Sequence, residues 1–338
     1  MARERIRRIL EAEDRFLVAA HYNPDGDALG SMAAVGFLLR AMGKDFRLYN
    51  ASGAPREFDW LALPGPVHRS LDELCDFTFS RALVLDCGDK DRMGPELAQA
   101  LPRETIVNID HHLGNEGFGA VNWVDSGFAA VGEMTALMAR DQGVALSGPL
   151  GEAVYLAVVS DTGYFSYGNT SPATLELAAE IVRLGLEPGA FGVKYLNQFT
   201  MNRLKLWSEV LGQAQLFCGG RIGVLRIPAE LLERTGTTVS DCDGLVNWVR
   251  RVRGVDVAMI LREDGPGRIK FSLRSVGMAN VQELAAQFGG GGHRNASGGS
   301  IEGDMDQAQE ALLRGAGGML GLDGRCTEPF ASAREAAE

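Results

Sequence analysis

Histidine and aspartate recur in short runs at positions that could do chemistry together. His21, Asp25 and Asp27 lie in HYNPDGDALGS, Asp86 in LDCGD, and Asp110, His111 and His112 in NIDHH. Asp161 follows the apolar run AVYLAVVS. Charged groups beside buried apolar runs are costly unless something pairs them. Carboxylates gathered in one place repel each other, and divalent cations are the natural compensation. His21, Asp25, Asp27, Asp86, His111 and Asp161 offer imidazole nitrogen and carboxylate oxygen but no thiolate. That donor set suits Mn²⁺ first, with Mg²⁺ or Co²⁺ as alternatives. Six such donors are more than one ion needs. Two ions sharing a carboxylate, roughly 3.5–4 Å apart, fit better, and that arrangement serves phosphate-ester hydrolysis.

Positioning these groups requires strands that end together. The run FLVAAH (16–21) reads as a strand buried on both faces. Further strands are expected at 46–50, 81–88, 105–112 and 120–125, with helices at 28–43, 133–143 and 151–161. Alternation of this kind predicts an α/β fold with a doubly wound, mostly parallel sheet. In such sheets ligands bind beyond the carboxyl ends of the strands, where the candidate residues fall. Pro24 and Gly26 are expected to shape a loop that turns Asp25 and Asp27 towards neighbouring ions.

Beyond the first domain (1–190) the pattern predicts a helical connector (191–213) and a smaller mixed α/β domain (214–325). The tail, 326–338, is expected to fray. The smaller domain should contain a hairpin at Gly219–Gly220, two strands (VDVAMILRED and GRIKFSLRS) and the loop GGGGHRNASGG (289–299). A glycine run allows close backbone approach, so its N–H groups can cradle phosphate.

Composition narrows the function. The 338 residues carry a formal net charge of −11, which argues against sequence-independent binding of long duplex nucleic acid. The segment 250–294 departs from that balance, with eight Arg and Lys against four acids. Such a segment could hold a short anion through arginine forks. No apolar run is long enough to cross a bilayer. The N-terminal MARERIRRILEAEDRF reads as an amphipathic helix rather than a signal peptide. Five scattered cysteines, with no CxxC pair, read as reduced thiols of a cytoplasmic protein. His68 is expected at the surface without partners.

HYNPDGDALGS, LDCGD, NIDHH and VSDTGYF resemble, in that order, the four motifs of the DHH phosphoesterase family. The GGGGHRNASGG stretch resembles the GGGH loop of the DHH-associated domain of the first type. The pairing is similar to that of bacterial nano-RNases that also act as 3′-phosphoadenosine-5′-phosphate (pAp) phosphatases. The resemblance implies that His21, Asp25 and Asp86 hold one ion. It implies that Asp27, Asp86, His111 and Asp161 hold a second, with Asp86 bridging. His112 would face the scissile phosphate, and Asp110 would orient the histidines. The nucleotide would be held by Arg274, Ser275, Gly291, Gly292, His293 and Arg294. The implied reaction is attack by a metal-bridging hydroxide on short single-stranded RNA, linear dinucleotides or pAp. A homodimer through the first domain is implied as well. Leu113 stands where relatives often carry proline. Two alternatives remain: a non-catalytic nucleotide sensor on the same fold, and a related single-strand exonuclease. The complete ligand set favours catalysis over the sensor.

Overall fold

A computed structural model describes residues 2–322, 326 and 328–330. The chain divides into two compact units, Met1–Gln198 and Phe199–Glu338. The first unit runs α1 (Ala2–Ala12), β1 (Arg15–Ala20), α2 (Gly26–Ala41), β2 (Asp45–Tyr49), β3 (Val67–His68) and β4 (Arg81–Leu85). It continues with α3 (Pro95–Ala100), β5 (Ile106–Asp110), β6 (Val121–Val124), α4 (Val131–Asp141), α5 (Gly148–Asp161), α6 (Pro172–Arg183) and α7 (Pro188–Leu196).

The six strands pair in the order β3-β2-β1-β4-β5-β6, all parallel. Successive side chains of a strand point to opposite faces. Phe16, Val18 and Ala20 therefore face one way, into a core with residues of α1, α2, α4 and α5. Leu17 and Ala19 face the other way, towards Leu97 of α3 and the loop residues Leu74 and Met93. Burial on both faces explains why β1 reads as an unbroken apolar run. The chain leaves β1 towards β2 on one side and reaches β4 on the other. Such a reversal of strand order opens a crevice at the carboxyl ends.

Helices α2, α4 and α5 approach closely through small residues. A Cβ on Gly30 would lie 2.6 Å from the Ala153 carbonyl oxygen, and one on Gly132 would lie 2.4 Å from Ala157 Cβ. Gly26 belongs to α2 rather than to a loop. Its own Cβ would meet Ser160 at 2.7 Å, so the glycine serves the helix crossing.

The second unit runs α8 (Met201–Gly212), β7 (Gln215–Phe217), β8 (Ile222–Ile227), α9 (Ala229–Thr235), α10 (Leu245–Arg250) and β9 (Val257–Glu263). It ends with β10 (Arg268–Ser275), α11 (Val281–Ala286), β11 (Gly291–His293), β12 (Ala296–Glu302) and α12 (Met305–Met319). The strand order is β11-β12-β10-β9-β8-β7, mixed, with only β8 and β9 parallel. Helices α11 and α12 pack on one face and α8, α9 and α10 on the other.

Three expectations are corrected here. The glycine run is not a plain loop: Gly291–His293 forms an edge strand against β12. Gly290 and Gly292 are needed because added Cβ atoms would meet carbonyl oxygens at 2.2 and 2.5 Å. The cysteines are not all free thiols. Cys218 and Cys326 are joined in a disulfide with Cα atoms 4.4 Å apart, closing a separation of 108 residues. A loop of that length constrains the unfolded chain by up to about 4–5 kcal/mol. His68 has a partner, with Nδ1 3.3 Å from a Glu73 carboxylate oxygen. The expected fraying at 331–338 lies outside the described residues. Among the described residues, no helix is long and apolar enough to cross a membrane.

Candidate metal centre

The site forms where β1, β4 and β5 end beside the start of α2 and the end of α5. His21 follows β1. Its Nδ1–H donates to the Tyr22 carbonyl at 2.9 Å, and its own carbonyl accepts from Asn50 Nδ2 at 2.8 Å. The ring is thereby turned so that Nε2 lies 3.5 Å from Asp86 Oδ2 and 3.9 Å from Asp25 Oδ1. Asp25 caps α2, its Oδ1 accepting from the backbone N–H groups of Asp27 and Ala28 at 3.0 Å each. A capping role and a metal role are compatible, because the second carboxylate oxygen takes no part in the cap.

Asp27 is wholly buried. It accepts from Val131 N–H at 2.7 Å and Gly132 N–H at 3.1 Å, the first turn of α4, and from Ser31 Oγ at 2.8 Å. A helix N-terminus carries partial positive charge and suits a carboxylate. Asp86 follows β4 with φ of 55°, a conformation unusual for a residue with a side chain. His111 Nδ1 is held by the Phe128 carbonyl at 3.2 Å. Its Nε2 faces Asp161 at 3.3 Å, Asp86 Oδ1 at 3.5 Å and Asp27 at 3.8 Å.

The donors fall into three groups, each with atoms within 4.8 Å of one another: His21, Asp25 and Asp86; Asp27, His111 and Asp161; Asp86, His111 and His112. Asp86 belongs to two of them and turns one oxygen to each side. Its Oδ1 is buried, and among the described residues no donor is aligned on it: His111 Nε2 and His112 Nδ1 each stand 3.5 Å away. A buried carboxylate oxygen held so loosely is one that a cation can satisfy. The residues present therefore fit divalent ions with nitrogen and oxygen ligands.

Electrostatics agree. Burial, then the negative charges of Asp86 and Asp161, push the Asp27 carboxyl well above its usual range. Burial likewise raises Asp161 to about 6. Burial lowers the pKa of His111, yet the neighbouring carboxylates of Asp161 and Asp86 overcome it and lift the imidazolium to about 12. Asp86 goes the other way: burial is outweighed by the neighbouring His111 and His21 rings, which hold it well below the carboxylate range. Without cations the cluster keeps protons that cations would displace.

Asp110 is also wholly buried and bonds to the ring of His112. Its Oδ1 accepts from His112 Nδ1 at 2.7 Å and its Oδ2 from Asn115 Nδ2 at 2.7 Å. Asn115 reaches Asn108 Oδ1 and the Cys87 carbonyl as well. His112 Nε2 lies 3.2 Å from Arg92 Nη1. Sequence reasoning missed Arg92, Ser31, Asn108 and the α4 N-terminus. Ser31 and Asn108 stand within HYNPDGDALGS and NIDHH, so a signal for them was in hand; Asn115, three residues beyond His112, was missed as well.

In the second unit, Arg274 lies on the same face of its sheet as Lys270, whose cross-strand partner is Arg262. Ser275 is buried, its hydroxyl donating to the Ala279 carbonyl and accepting from Asn295 Nδ2, both at 2.8 Å. It pins the turn after β10 and does not face solvent. Gly291 and Gly292 lie in the edge strand, and Arg294 is exposed beside it. The expectation for the His293 side chain lies outside the described residues. Tyr164 and Phe165 pack against the first core, Phe165 edge-on to Tyr155 at 6.0 Å.

Comparison with known proteins matches this division. Residues 15–158 match the N-terminal domain of the DHH family, and residues 219–315 match the DHHA1 domain. A Thermus thermophilus protein named bifunctional oligoribonuclease and PAP phosphatase NrnA is 31% identical over 303 residues, 89% of each chain. The Bacillus subtilis protein of the same name is 28% identical over 90% of this chain and 95% of its own. The crystal structure of an exopolyphosphatase-related protein from Bacteroides fragilis shares the fold. It has a TM-score of 0.87 and 24% identity, and covers 96% of this chain and 98% of its own. With four spaced motifs, converging ligands and a relative of this similarity, the chain belongs to the DHH family of phosphoesterases.

Proposed function

We propose that this phosphoesterase hydrolyses short oligoribonucleotides, linear dinucleotides included, to mononucleotides, and pAp to AMP. The observation that carries the reading is Asp86. It stands between two ligand groups at the β1–β4 reversal, in a chain similar along most of its length to proteins named for these two activities.

In this reading His21, Asp25 and Asp86 hold one ion, and Asp27, Asp86, His111 and Asp161 the other. Two divalent ions, Mn²⁺ before Mg²⁺ or Co²⁺, would supply an activated water and neutralise charge on the phosphoryl oxygens. The protein's part is orientation. The Tyr22 and Phe128 carbonyls fix the tautomers of His21 and His111, so that Nε2 of each ring faces the carboxylates. The α4 N-terminus holds Asp27 still. Asp110 and Asn115 hold His112 beside Asp86, with His112 Nδ1 3.5 Å from Asp86 Oδ1. In the second unit Arg274, Arg294 and the Gly291–Gly292 edge bind the nucleotide, with His293 assigned the same role and Ser275 supporting the turn. A homodimer through the first unit belongs to the same proposal.

The test is a time course with 5′-labelled RNAs of graded length, from a dinucleotide to a long strand, and with pAp, in Mn²⁺ and in EDTA. Mn²⁺-dependent loss of the shortest RNAs and of pAp, with the long strand slow, is expected. Binding without any mononucleotide product would turn the reading to a nucleotide sensor.

A further inference from the structure

Arg92 is a cation beside a carboxylate cluster that, among the described residues, pairs with no carboxylate. It lies on the short 3-10 turn Asp91–Met93 after β4. Its backbone is tied at both ends: its N–H donates to Asp89 Oδ1 at 3.0 Å, and its carbonyl accepts from Tyr22 N–H at 2.6 Å. The turn thus bridges the His21 loop and the Asp86 loop. The guanidinium is half-buried, and its one described hydrogen bond goes to His112 Nε2 at 3.2 Å. Other arginines of this chain take carboxylates directly: Arg3 with Asp141 at 2.6 Å, Arg81 with Glu13 at 2.8 Å, Arg221 with Asp256 at 2.6 Å. Arg92 has no such ion pair among the described residues.

Arginine only donates, so His112 Nε2 is the acceptor in this contact. The ring hydrogen is then on Nδ1, where Asp110 Oδ1 accepts it at 2.7 Å. His112 in this arrangement has no N–H to offer an incoming anion. Arg92 does: a guanidinium carries five N–H donors in a planar fork suited to phosphate.

We infer that Arg92 is a phosphate-binding residue of this centre, its free N–H donors taking a non-bridging oxygen of the substrate phosphate beside His112. The inference rests on the phosphoesterase reading and names the side chain that grips the anion there. At rest the same guanidinium keeps the His112 ring in its Nδ1–H form.

The experiment compares full-length wild type, Arg92→Gln and Arg92→Lys. Inorganic phosphate affinity is measured by calorimetry on the protein loaded with stoichiometric Mn²⁺. Mn²⁺ affinity is measured by electron paramagnetic resonance, and kcat and KM with pAp. Loss of a hydrogen bond to a charged group predicts phosphate binding and KM worse by at least about tenfold in Arg92→Gln. Arg92→Lys should recover part of that loss, and Mn²⁺ affinity should stay at the wild-type value. Unchanged phosphate affinity in Arg92→Gln overturns the inference. So does a loss matched by an equal loss of Mn²⁺ affinity, which would mark a structural role. Wild type that binds no phosphate overturns it as well. Wild type that binds phosphate through Arg92 but cleaves neither RNA nor pAp would remove the substrate reading alone.

Discussion

The two units hold their candidate residues in opposite ways. In the first, His21, Asp27, Asp86, Asp110 and His111 are all buried, and each carries a hydrogen bond or ion pair that sets its direction. In the second, Arg274 and the buried Ser275 end the interior strand β10, while Gly291 and Gly292 ride on an edge strand and Arg294 on the exposed turn beside it. Among the described residues the Arg294 side chain reaches only the Met278 carbonyl and sulfur, at 3.1 and 3.9 Å. Burial among fixed partners gives a rigid donor set, as a metal site requires. Exposure on a sheet edge gives adaptable contacts, as varied nucleotide ends require. The comparison predicts that substitutions in the first unit act on chemistry and those in the second act on binding.

The sharpest way to break that contrast is Asp86→Ala. Hydrolysis of a dinucleotide should fall by at least about a thousandfold, as for other groups that act as a unit in catalysis. Circular dichroism should show an intact fold. An active Asp86→Ala protein would remove the shared-ligand assignment.

A second prediction concerns protons. His111 holds its proton up to about 12, Asp161 takes one below about 6, and burial with its carboxylate neighbours pushes Asp27 upward in the same sense. Mn²⁺ uptake should therefore release protons, and affinity should weaken as pH falls, most steeply below about 6, where Asp161 takes its proton too. Calorimetry in two buffers of different ionisation enthalpy reads the release directly. Identical heats in both buffers would contradict it.

The smallest effect is expected in the second unit. Arg294→Ala should raise KM for a dinucleotide several-fold while kcat and Mn²⁺ affinity hold. A fall in kcat alone would blur the division between the units.

Much of the first unit was legible because ligand types and strand ends coincide along the chain. FLVAAH and RALVLDCG carry both signals at once, so strand and candidate ligand could be read together. What was missed depends on contacts between distant segments. Asp27 meets the α4 N-terminus 104 residues away, and Cys218 meets Cys326 across 108. Neither spacing marks the partner. The glycine run misled for a different reason. Glycine serves close backbone approach in a hairpin as well as in a loop, and periodicity cannot separate the two at that length. The first-unit donors are nearly all visible as types; the groups that aim them are backbone carbonyls and N–H groups, which have no letter in a sequence.

Gly26 has a consequence for selectivity. Asp25 and Asp27 flank it at the start of α2, and Asp161 ends α5 one residue beyond Ser160, which Gly26 touches. The gauge between the carboxylates of the two helices is thus set by the absence of a single methyl group. A side chain there would prise the helices apart and move Asp161 away from Asp25 and Asp27. If the proposed ions sit among these carboxylates, the size of ion that fits would be set by a helix crossing, through a residue that is itself no ligand.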